Sequence, residues 1–216
     1  IGSFYGYKVA GIFQSQEELD SSPKLGGEGI GDIRFEDTNQ DGLLNGDDRV
    51  YLGSPIPKLT YSFTAGVEWL GFDFNADIVG ASGNYVYNAK EIFRDGVYNW
   101  EQHVEDRWTE ENPSLTEPRI SSGGHNYKVS DRFLEKGDFI RLSSLSLGYT
   151  IPKNVSSEIK IDRLRVYVTG SNIWTNQQYN GYSPEFPNAG NSYEVGFDFG
   201  GYPIAKSWVA GIEIQF

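Results

Sequence analysis

Two neighbouring stretches of the sequence alternate strictly between apolar and polar or small residues, and this period of two constrains the fold more than any other feature. Apolar residues take every second position in Leu59–Trp69. Leu70-Gly71 follow as a tight-turn dipeptide, and residues 72–78 then alternate in the same way. Such alternation is typical of strands with one apolar face. The sequence therefore predicts a β-hairpin over residues 59–80.

Three further segments predict strands. Residues 208–216 alternate as strictly as the hairpin does, and residues 139–150 and 163–172 do so less regularly. All five segments have about the 9 to 12 residues that a tilted strand needs to cross a bilayer. We therefore predict an all-β fold with five antiparallel strands. Two arrangements fit the alternation: a soluble sandwich, whose apolar face lies in a core, and a membrane barrel, whose apolar face lies in lipid.

The lengths of the connections favour the barrel. If the C-terminus is periplasmic, short inner turns alternate with long outer loops over residues 81–138 and 173–205, as barrels require. Five strands cannot close a barrel, for which roughly eight are needed, so we expect the remaining strands elsewhere. The predicted organisation is an extracellular region over residues 1–58, a transmembrane hairpin over 59–80, a long extracellular loop with a short helix over 81–138, and three barrel strands with one long outer loop over 139–216.

In a barrel the two faces of these strands would have different surroundings. Outer-membrane lipid would meet the apolar face, with Trp69, Phe72, Tyr149 and Trp208 in the aromatic girdles near the strand ends. The polar side chains expected to line the lumen are Thr60, Ser62, Glu68, Asp73, Asn75, Asp77, Arg165 and Glu213.

An acidic segment between Glu36 and Arg49 has the spacing of a twelve-residue calcium loop. Gly42 stands at its sixth position, where a sharp turn is needed. Aspartate at position 12 has a shorter reach than the usual glutamate. The alternative is an Asx-rich turn, which Asp, Asn and Gly also favour. The predicted ligands of a structural Ca²⁺ are Asp37, Asn39, Asp41, the carbonyl of Leu43, Asn45 and Asp48.

Composition excludes several other functions. The chain has 18 Lys and Arg residues against 30 Asp and Glu, which gives a net charge of -12. We therefore do not expect the basic surface that a nucleic-acid-binding protein needs. Cysteine is absent, and His103 and His125 have no zinc-ligand spacing. No nucleophile elbow or phosphate-binding loop is present, so we expect no catalysis. Aromatic residues of the predicted outer loops could stack on sugars or contact a partner, although packing is the plainer role: Trp100, Trp108, Trp174, Tyr179 and Tyr182.

Several segments together resemble one family. They are IGSFYGYKVAGIFQSQEEL at residues 1–19, GDIRFED at 31–37, DRVYLGSPIPK at 48–58, FIRLSSLSLGYTIP at 139–152, LRVYVTGSNI at 164–173, and the terminal Phe216. These segments are similar to the C-terminal end of SusC/RagA-type TonB-dependent outer-membrane transporters of Bacteroidetes.

The resemblance implies a plugged barrel of about 22 strands, of which this chain would supply the last five. It implies import of glycans, oligosaccharides or peptides, with TonB acting through an N-terminal part and plug outside this chain. It also implies a SusD-like lipoprotein as a lid. Two rivals remain at this point: a secreted, calcium-stabilised β-module that binds carbohydrate, and a passive porin of the same architecture.

Overall fold

The computed structural model describes residues 2–94, 101–121, 124–156, 158, 160–185 and 194–216. They form two compact units. The first unit lies within Ile1–Ile56, Tyr85–Glu135 and Pro187–Gly200, and the second lies within Pro57–Asn84, Lys136–Phe186 and Gly201–Phe216.

Strands dominate the described secondary structure. In chain order they are β1 (Phe4–Gly6), β2 (Val9–Ile12), β3 (Ile33–Phe35), β4 (Val50–Gly53), β5 (Leu59–Trp69), β6 (Phe72–Ser82), β7 (Tyr85–Tyr87), β8 (Leu134–Lys136), β9 (Phe139–Thr150), β10 (Arg163–Gln177) and β11 (Ser207–Gln215). The α-helices are α1 (Gln16–Ser21), α2 (Ala89–Arg94) and α3 (Lys153–Ser156), and single 3-10 turns cover Gly46–Asp48, Gln102–Asp106, His125–Tyr127 and Asp131–Phe133.

The first unit holds the hydrophobic cores. Strands β1 and β4 pair antiparallel, as do β2 and β3, and β7 forms a further two-stranded sheet with β8. One core cluster is centred on Phe4, Tyr87 and Phe133, and a second on Ile33 and Phe35. Burial of these aromatic and branched side chains, at about 1.5–3 kcal/mol for each one fully buried, supplies the main drive for folding of this unit.

The second unit is built on one antiparallel sheet of five strands in the order β11-β10-β9-β6-β5. Strands β5 and β6 form the predicted hairpin, in which Trp69 lies opposite Phe72. Leu70 and Gly71 make the two-residue turn with φ values of 47° and 86°. Positive φ at both positions gives a turn whose twist matches that of the strands, which is why the hairpin closes in two residues. The predicted five antiparallel strands are confirmed.

The register collects the apolar side chains of all five strands on one face of the sheet. Phe74 of β6, for example, lies opposite Val67 of β5 and Leu147 of β9. This face is exposed over the described residues: Phe63 is 62% and Ile212 67% accessible. A soluble sandwich would bury such a face in a core, and water does not tolerate an apolar surface of this extent. The sheet therefore needs lipid or another protein against it.

Strand β10 is longer than its sequence pattern predicted. The prediction ended near Asn172, whose φ of 53° breaks the alternation at a bulge. Beyond the bulge the ladder resumes, with Trp174 opposite Leu142 and Gln177 opposite Phe139. Trp174 consequently lies in a strand, not in the outer loop where the sequence analysis placed it, and that loop begins after Gln177.

The short helix expected within residues 81–138 is found as α2, which is described over Ala89–Arg94. A separate 3-10 turn covers Gln102–Asp106, and Trp100 lies outside the described residues. Among the helices of the described residues, none has the length and apolar character needed to cross a membrane.

Candidate functional site

The polar face of the five-stranded sheet carries an ion pair between Arg165 and Asp73 near the two-residue turn. Arg165 of β10 donates from Nε and Nη2 to the two carboxylate oxygens of Asp73 on β6, at 2.9 and 2.5 Å. The pair spans β9 directly over Gly148, where a Cβ atom would lie 2.3 Å from Asp73 Oδ2. Glycine is therefore needed at residue 148 so that the two side chains can lie flat on the sheet.

The same face continues as a network of polar contacts. Glu213 of β11 lies 3.7 Å from the Arg165 guanidinium, and the Arg165 Cζ atom sits 4.9 Å from the centre of the Tyr167 ring. Thr64 donates to Asp77 at 2.7 Å across the hairpin. Contacts of this kind between neighbouring strands stabilise the polar face of a sheet.

At the other end of this face, Arg141 is buried and satisfied. Its Nη1 donates to Glu185 at 2.5 Å and its Nε donates to Thr175 Oγ1 at 3.1 Å. Its Cζ atom also lies 5.0 Å from the centre of the Phe139 ring. Arg141 is not among the predicted lumenal residues, although its place in the alternation of residues 139–150 puts it on the polar face.

A cavity of about 410 Å³ opens beside the Asp73–Arg165 pair. Glu68, Asp73, Arg163, Arg165 and Thr150 line it together with the turn residues 69–72. Of the predicted lumenal residues, the structure thus brings Glu68, Asp73, Arg165 and Glu213 together at one end of the polar face. Thr64, Asp77 and Asn75 lie further along the same face, since their Cα partners continue the same register.

The acidic loop of the first unit is held by its own side chains. Asn39, Asp41 and Asn45 each accept, through a side-chain oxygen, a backbone N–H two residues further on, at 3.0, 2.8 and 2.8 Å. These Asx-type bonds form whether or not a cation is present. They therefore do not by themselves separate a calcium loop from a turn.

Two carboxylates of this loop have a more specific environment. Asp48 is fully buried and accepts backbone N–H bonds from Thr38 and Asn45 at 3.0 and 2.8 Å. Burial alone would raise the pKa of Asp48, but backbone N–H donors, those of Asn45 and Thr38 first, hold the pKa below its usual value. Asp48 is consequently ionised at neutral pH, with Asp37 beside it.

Asp37 provides a test of whether the loop fits a cation. Its Oδ2 accepts the Gly42 N–H at 2.8 Å, whereas its Oδ1 is buried and has no hydrogen-bond partner among the described residues. An unsatisfied buried charged oxygen is costly, and a hard cation between Asp37 and Asp48 would remove that cost. No three His, Cys, Asp or Glu side chains converge as metal ligands within the described part of the chain. A bound ion would therefore need the amide and carbonyl oxygens of the loop as well.

The other predicted residues are dispersed. Trp108 covers Gly31 and donates from Nε1 to Gln14 at 3.1 Å, so it packs within the first unit. His103 lies 3.9 and 4.0 Å from Glu91 and Glu117. His125 faces the Ile33 carbonyl at 2.7 Å, with its ring against Phe35. In the second unit Tyr179 is buried and Tyr182 is exposed.

No family model matches the chain. Curated relatives include the TonB-dependent receptor P26 of Formosa agariphila, 31% identical over 99% of this chain and 22% of the relative. The TonB-dependent receptor SusC of Bacteroides thetaiotaomicron is 24% identical over 98% of this chain and 20% of the relative. The chain thus spans about a fifth of the length of these relatives.

Solved structures agree with the sequence relatives. The structure of the RagAB peptide transporter superposes with a TM-score of 0.78 at 25% identity, covering 99% of this chain and 22% of that one. The RagAB peptide importer in its open-open state gives a TM-score of 0.75 at 24% identity. The five-stranded sheet is accordingly a fragment of a barrel wall, and the chain is similar to the C-terminal part of SusC/RagA-type TonB-dependent transporters.

Proposed function

We propose that this chain forms part of the barrel wall of an outer-membrane importer and is not an enzyme. The observation that carries the proposal is the division of the sheet into two faces. One face is apolar and exposed on all five strands, and the other bears the Asp73–Arg165 network. A transmembrane barrel wall needs this division, because lipid covers one face and a polar lumen the other. The relatives that are named receptors and transporters support the same role.

The cargo in this proposal is a glycan, an oligosaccharide or a peptide. The peptide alternative is favoured by the likeness to the RagAB peptide transporter, at 25% identity. A SusD-like lipoprotein would act as the lid, TonB would act through the N-terminal part and plug, and the rest of the barrel would complete the wall. In this arrangement the C-terminus is periplasmic and the first unit lies outside the cell.

The test uses the complete transporter in its own outer membrane. Cells lacking it should fail to take up its cargo, screened as labelled oligosaccharides and peptides, and uptake should stop when the proton gradient is collapsed. Co-purification in mild detergent should yield the barrel-and-plug polypeptide with a lipoprotein. Recovery of this chain from the soluble fraction without detergent would instead support the secreted β-module, and uptake that survives collapse of the gradient would support a passive porin.

We further propose that the acidic loop binds one structural Ca²⁺ through Asp37, Asn39, Asp41, the Leu43 carbonyl, Asn45 and Asp48. The buried, unpartnered Oδ1 atom of Asp37 supports this proposal. The cation would neutralise the adjacent carboxylates of Asp37 and Asp48 and fix the conformation of the extracellular loop. We expect an affinity of about 0.1–1 mM, the range of extracellular calcium modules.

Calorimetry and thermal unfolding of the complete transporter test the calcium site. Calcium should bind with a stoichiometry of one and raise the unfolding temperature, because a ligand that binds only the folded state stabilises it. Asp41→Asn should weaken binding about tenfold or more. Asp47→Asn makes the same charge change one loop position away from Asp48 and should leave binding unchanged. If the unmodified transporter and both variants took up equal amounts of calcium, the loop would be an Asx-rich turn and not a calcium site.

A further inference from the structure

The apolar face of the five-stranded sheet gives way to polar residues at the end opposite the two-residue turn. Along β5, apolar side chains follow one another on this face from Trp69 to Tyr61. A tilted strand crosses a bilayer in about 9–11 residues, and Tyr61 is the ninth residue counted back from Trp69. Tyr61 therefore marks the outer boundary of the apolar band, and residues beyond it on this face lie at the level of the lipid headgroups.

Strand β10 carries an amide side chain on this face at that level, and a second amide follows its end. Asn176 is the Cα partner of Ile140, and both lie level with Tyr61 in the register. Gln178 follows two residues later, and its backbone N–H donates to the Asp138 carbonyl at 3.0 Å. The Asn176 and Gln178 side chains are exposed, and neither makes a hydrogen bond with any residue that the structure describes. Both amides are therefore available to a ligand.

The two amides border a cleft of about 230 Å³ whose other walls are fixed. Tyr61 lies across β6, since a Cβ atom on Gly80 would be 2.3 Å from its ring, and its hydroxyl donates to the Phe139 carbonyl at 3.3 Å. Asp138, which also lines the cleft, is held in place because its Oδ1 accepts the Gly83 N–H at 2.7 Å. The cleft thus combines an oriented aromatic ring, an oriented carboxylate and two amides.

This lining determines the chemistry of the ligand. A sugar ring has hydroxyl groups that donate to a carboxylate and pair with amides, and C–H surfaces that pack on an aromatic ring. Among the described residues that line the cleft none is basic, and the Asp138 carboxylate would repel a phosphate. The cleft is also smaller than the ~300–1,000 Å³ of pockets that enclose whole drug-sized ligands, so it suits one neutral sugar unit.

We propose that this cleft binds the neutral sugar headgroup of a glycolipid in the outer leaflet of the outer membrane. This proposal rests on the proposed function, which places the apolar face in lipid. The source of the sugar follows from continuity with that face: Phe63 and Trp174 lie on it, one step in the register closer to the turn than Tyr61 and Asn176. A sugar held in the cleft consequently has its acyl chains against the apolar strands, whereas soluble cargo passes along the other face.

Native mass spectrometry of the complete transporter tests the proposal. In a detergent without a sugar headgroup, the transporter is offered equal amounts of monoglucosyl diacylglycerol and of phosphatidylglycerol with the same acyl chains. It should retain the glucosyl lipid several-fold more. The double change Asn176→Ala and Gln178→Ala should abolish this preference and leave retention of phosphatidylglycerol unchanged. Asn75→Ala removes an exposed amide from the polar face of the same sheet and should leave the preference intact.

A charge change and a soluble competitor identify what the cleft recognises. Asn176→Lys should raise the retention of phosphatidylglycerol, because it supplies the cation that the cleft lacks. Equal retention of both lipids by the unmodified transporter, or a preference that survives the double change, would overturn the proposal. Displacement of the glucosyl lipid by methyl glucoside at the same concentration would also overturn it, since the cleft would then bind a soluble sugar.

Energy-dependent uptake by cells carrying the unmodified transporter separates this proposal from the transport function. If uptake is normal while the lipid preference is absent, only the glycolipid site is wrong. If uptake itself fails, the transport function is wrong.

Discussion

The Arg165 guanidinium of β10 reaches across β9 and binds the Asp73 carboxylate of β6 through two hydrogen bonds of 2.9 and 2.5 Å. The pair therefore links two strands that are not neighbours in the sheet. It can do so only because Gly148, between them, has no side chain. A bidentate arginine–carboxylate pair of this kind also fixes the relative positions of the strands that carry it.

We expect Gly148→Ala to destabilise the barrel by about 1–3 kcal/mol, the usual cost of overpacking a tight site. The added methyl group would meet Asp73 Oδ2 at 2.3 Å and Arg165 Nη2 at 2.5 Å, so the pair must separate. Urea unfolding of the complete transporter in lipid vesicles measures the loss. Gly46→Ala is the control, since no atom lies within 4 Å of the added Cβ atom there. Equal stability of the two variants would mean that the pair does not depend on Gly148.

A lysine substitution should have opposite consequences on adjacent residues of β5. Phe63 lies on the apolar face and Ser62 on the polar face. As neighbours in one strand, the two residues lie at nearly the same depth in the bilayer but have different surroundings. Phe63→Lys places a charge in lipid and should destabilise the folded barrel by about 2–4 kcal/mol, as lysine does near the bilayer midplane. Ser62→Lys should be close to neutral. The two variants are compared by the fraction that folds into vesicles, seen as heat-modifiable gel mobility. Loss of folding only in Ser62→Lys would reverse the assignment of the faces.

Asp32 of the first unit should contribute stability that is lost in acid. Burial alone would raise the pKa of Asp32, but hydrogen bonds from Arg119, from the Gly29 N–H and from Asn126 hold it below its usual value of 3.8. A lowered folded-state pKa means that the contribution is present above pH 3.8 and disappears as the pH falls through the folded-state value. Asp32→Asn should therefore cost about 1–3 kcal/mol at pH 7 and progressively less below pH 3.8.

Thermal unfolding of the complete protein as a function of pH measures the Asp32 contribution. Asp20→Asn, which removes an exposed carboxylate of helix α1, is the matched control. A constant difference between Asp32→Asn and the unmodified protein from pH 2 to pH 7 would contradict the proposed ionic role of Asp32.

The strand pattern of the second unit could be predicted because the polarity of each residue indicates the sheet face on which its side chain lies. A period of two is a local property, and the hairpin of Leu59–Trp69 and its partner follow from it directly. The bulge at Asn172 was not predictable in the same way, because a left-handed residue interrupts the alternation while the ladder continues beyond it. Strand β10 therefore ended too early in the prediction, and Trp174 was assigned to a loop.

The contacts of the polar face lay beyond the reach of the sequence. Asp73 and Arg165 are 92 residues apart in the sequence. Their pairing depends on the spatial order of the strands in the sheet, in which β9 lies between β6 and β10. Their polar-face positions were predictable, but not their bond or the role of Gly148 beneath it. The acidic loop is the opposite case, since its residues are close in sequence. Its spacing could be recognised, whereas the buried Oδ1 atom of Asp37 required the structure.

Glu91 of helix α2 should make the first unit less stable at neutral pH than in mild acid. Burial is the main cause that raises the pKa of Glu91 to about 6 from 4.5, with His103 and Arg132 opposing it and Glu101 and Glu135 adding to it. A raised folded-state pKa favours the protonated form in the fold. Its contribution is complete below pH 4.5 and is lost as the pH rises through about 6, an effect on the order of 2 kcal/mol.

Replacing the carboxyl with a neutral amide in Glu91→Gln should remove this loss, so the variant should lose less stability than the unmodified protein between pH 4.5 and pH 7. Glu110→Gln, which removes an exposed carboxylate, is the control. A Glu91→Gln profile that matched that of the unmodified protein would show that the pKa of Glu91 is not raised in the folded state.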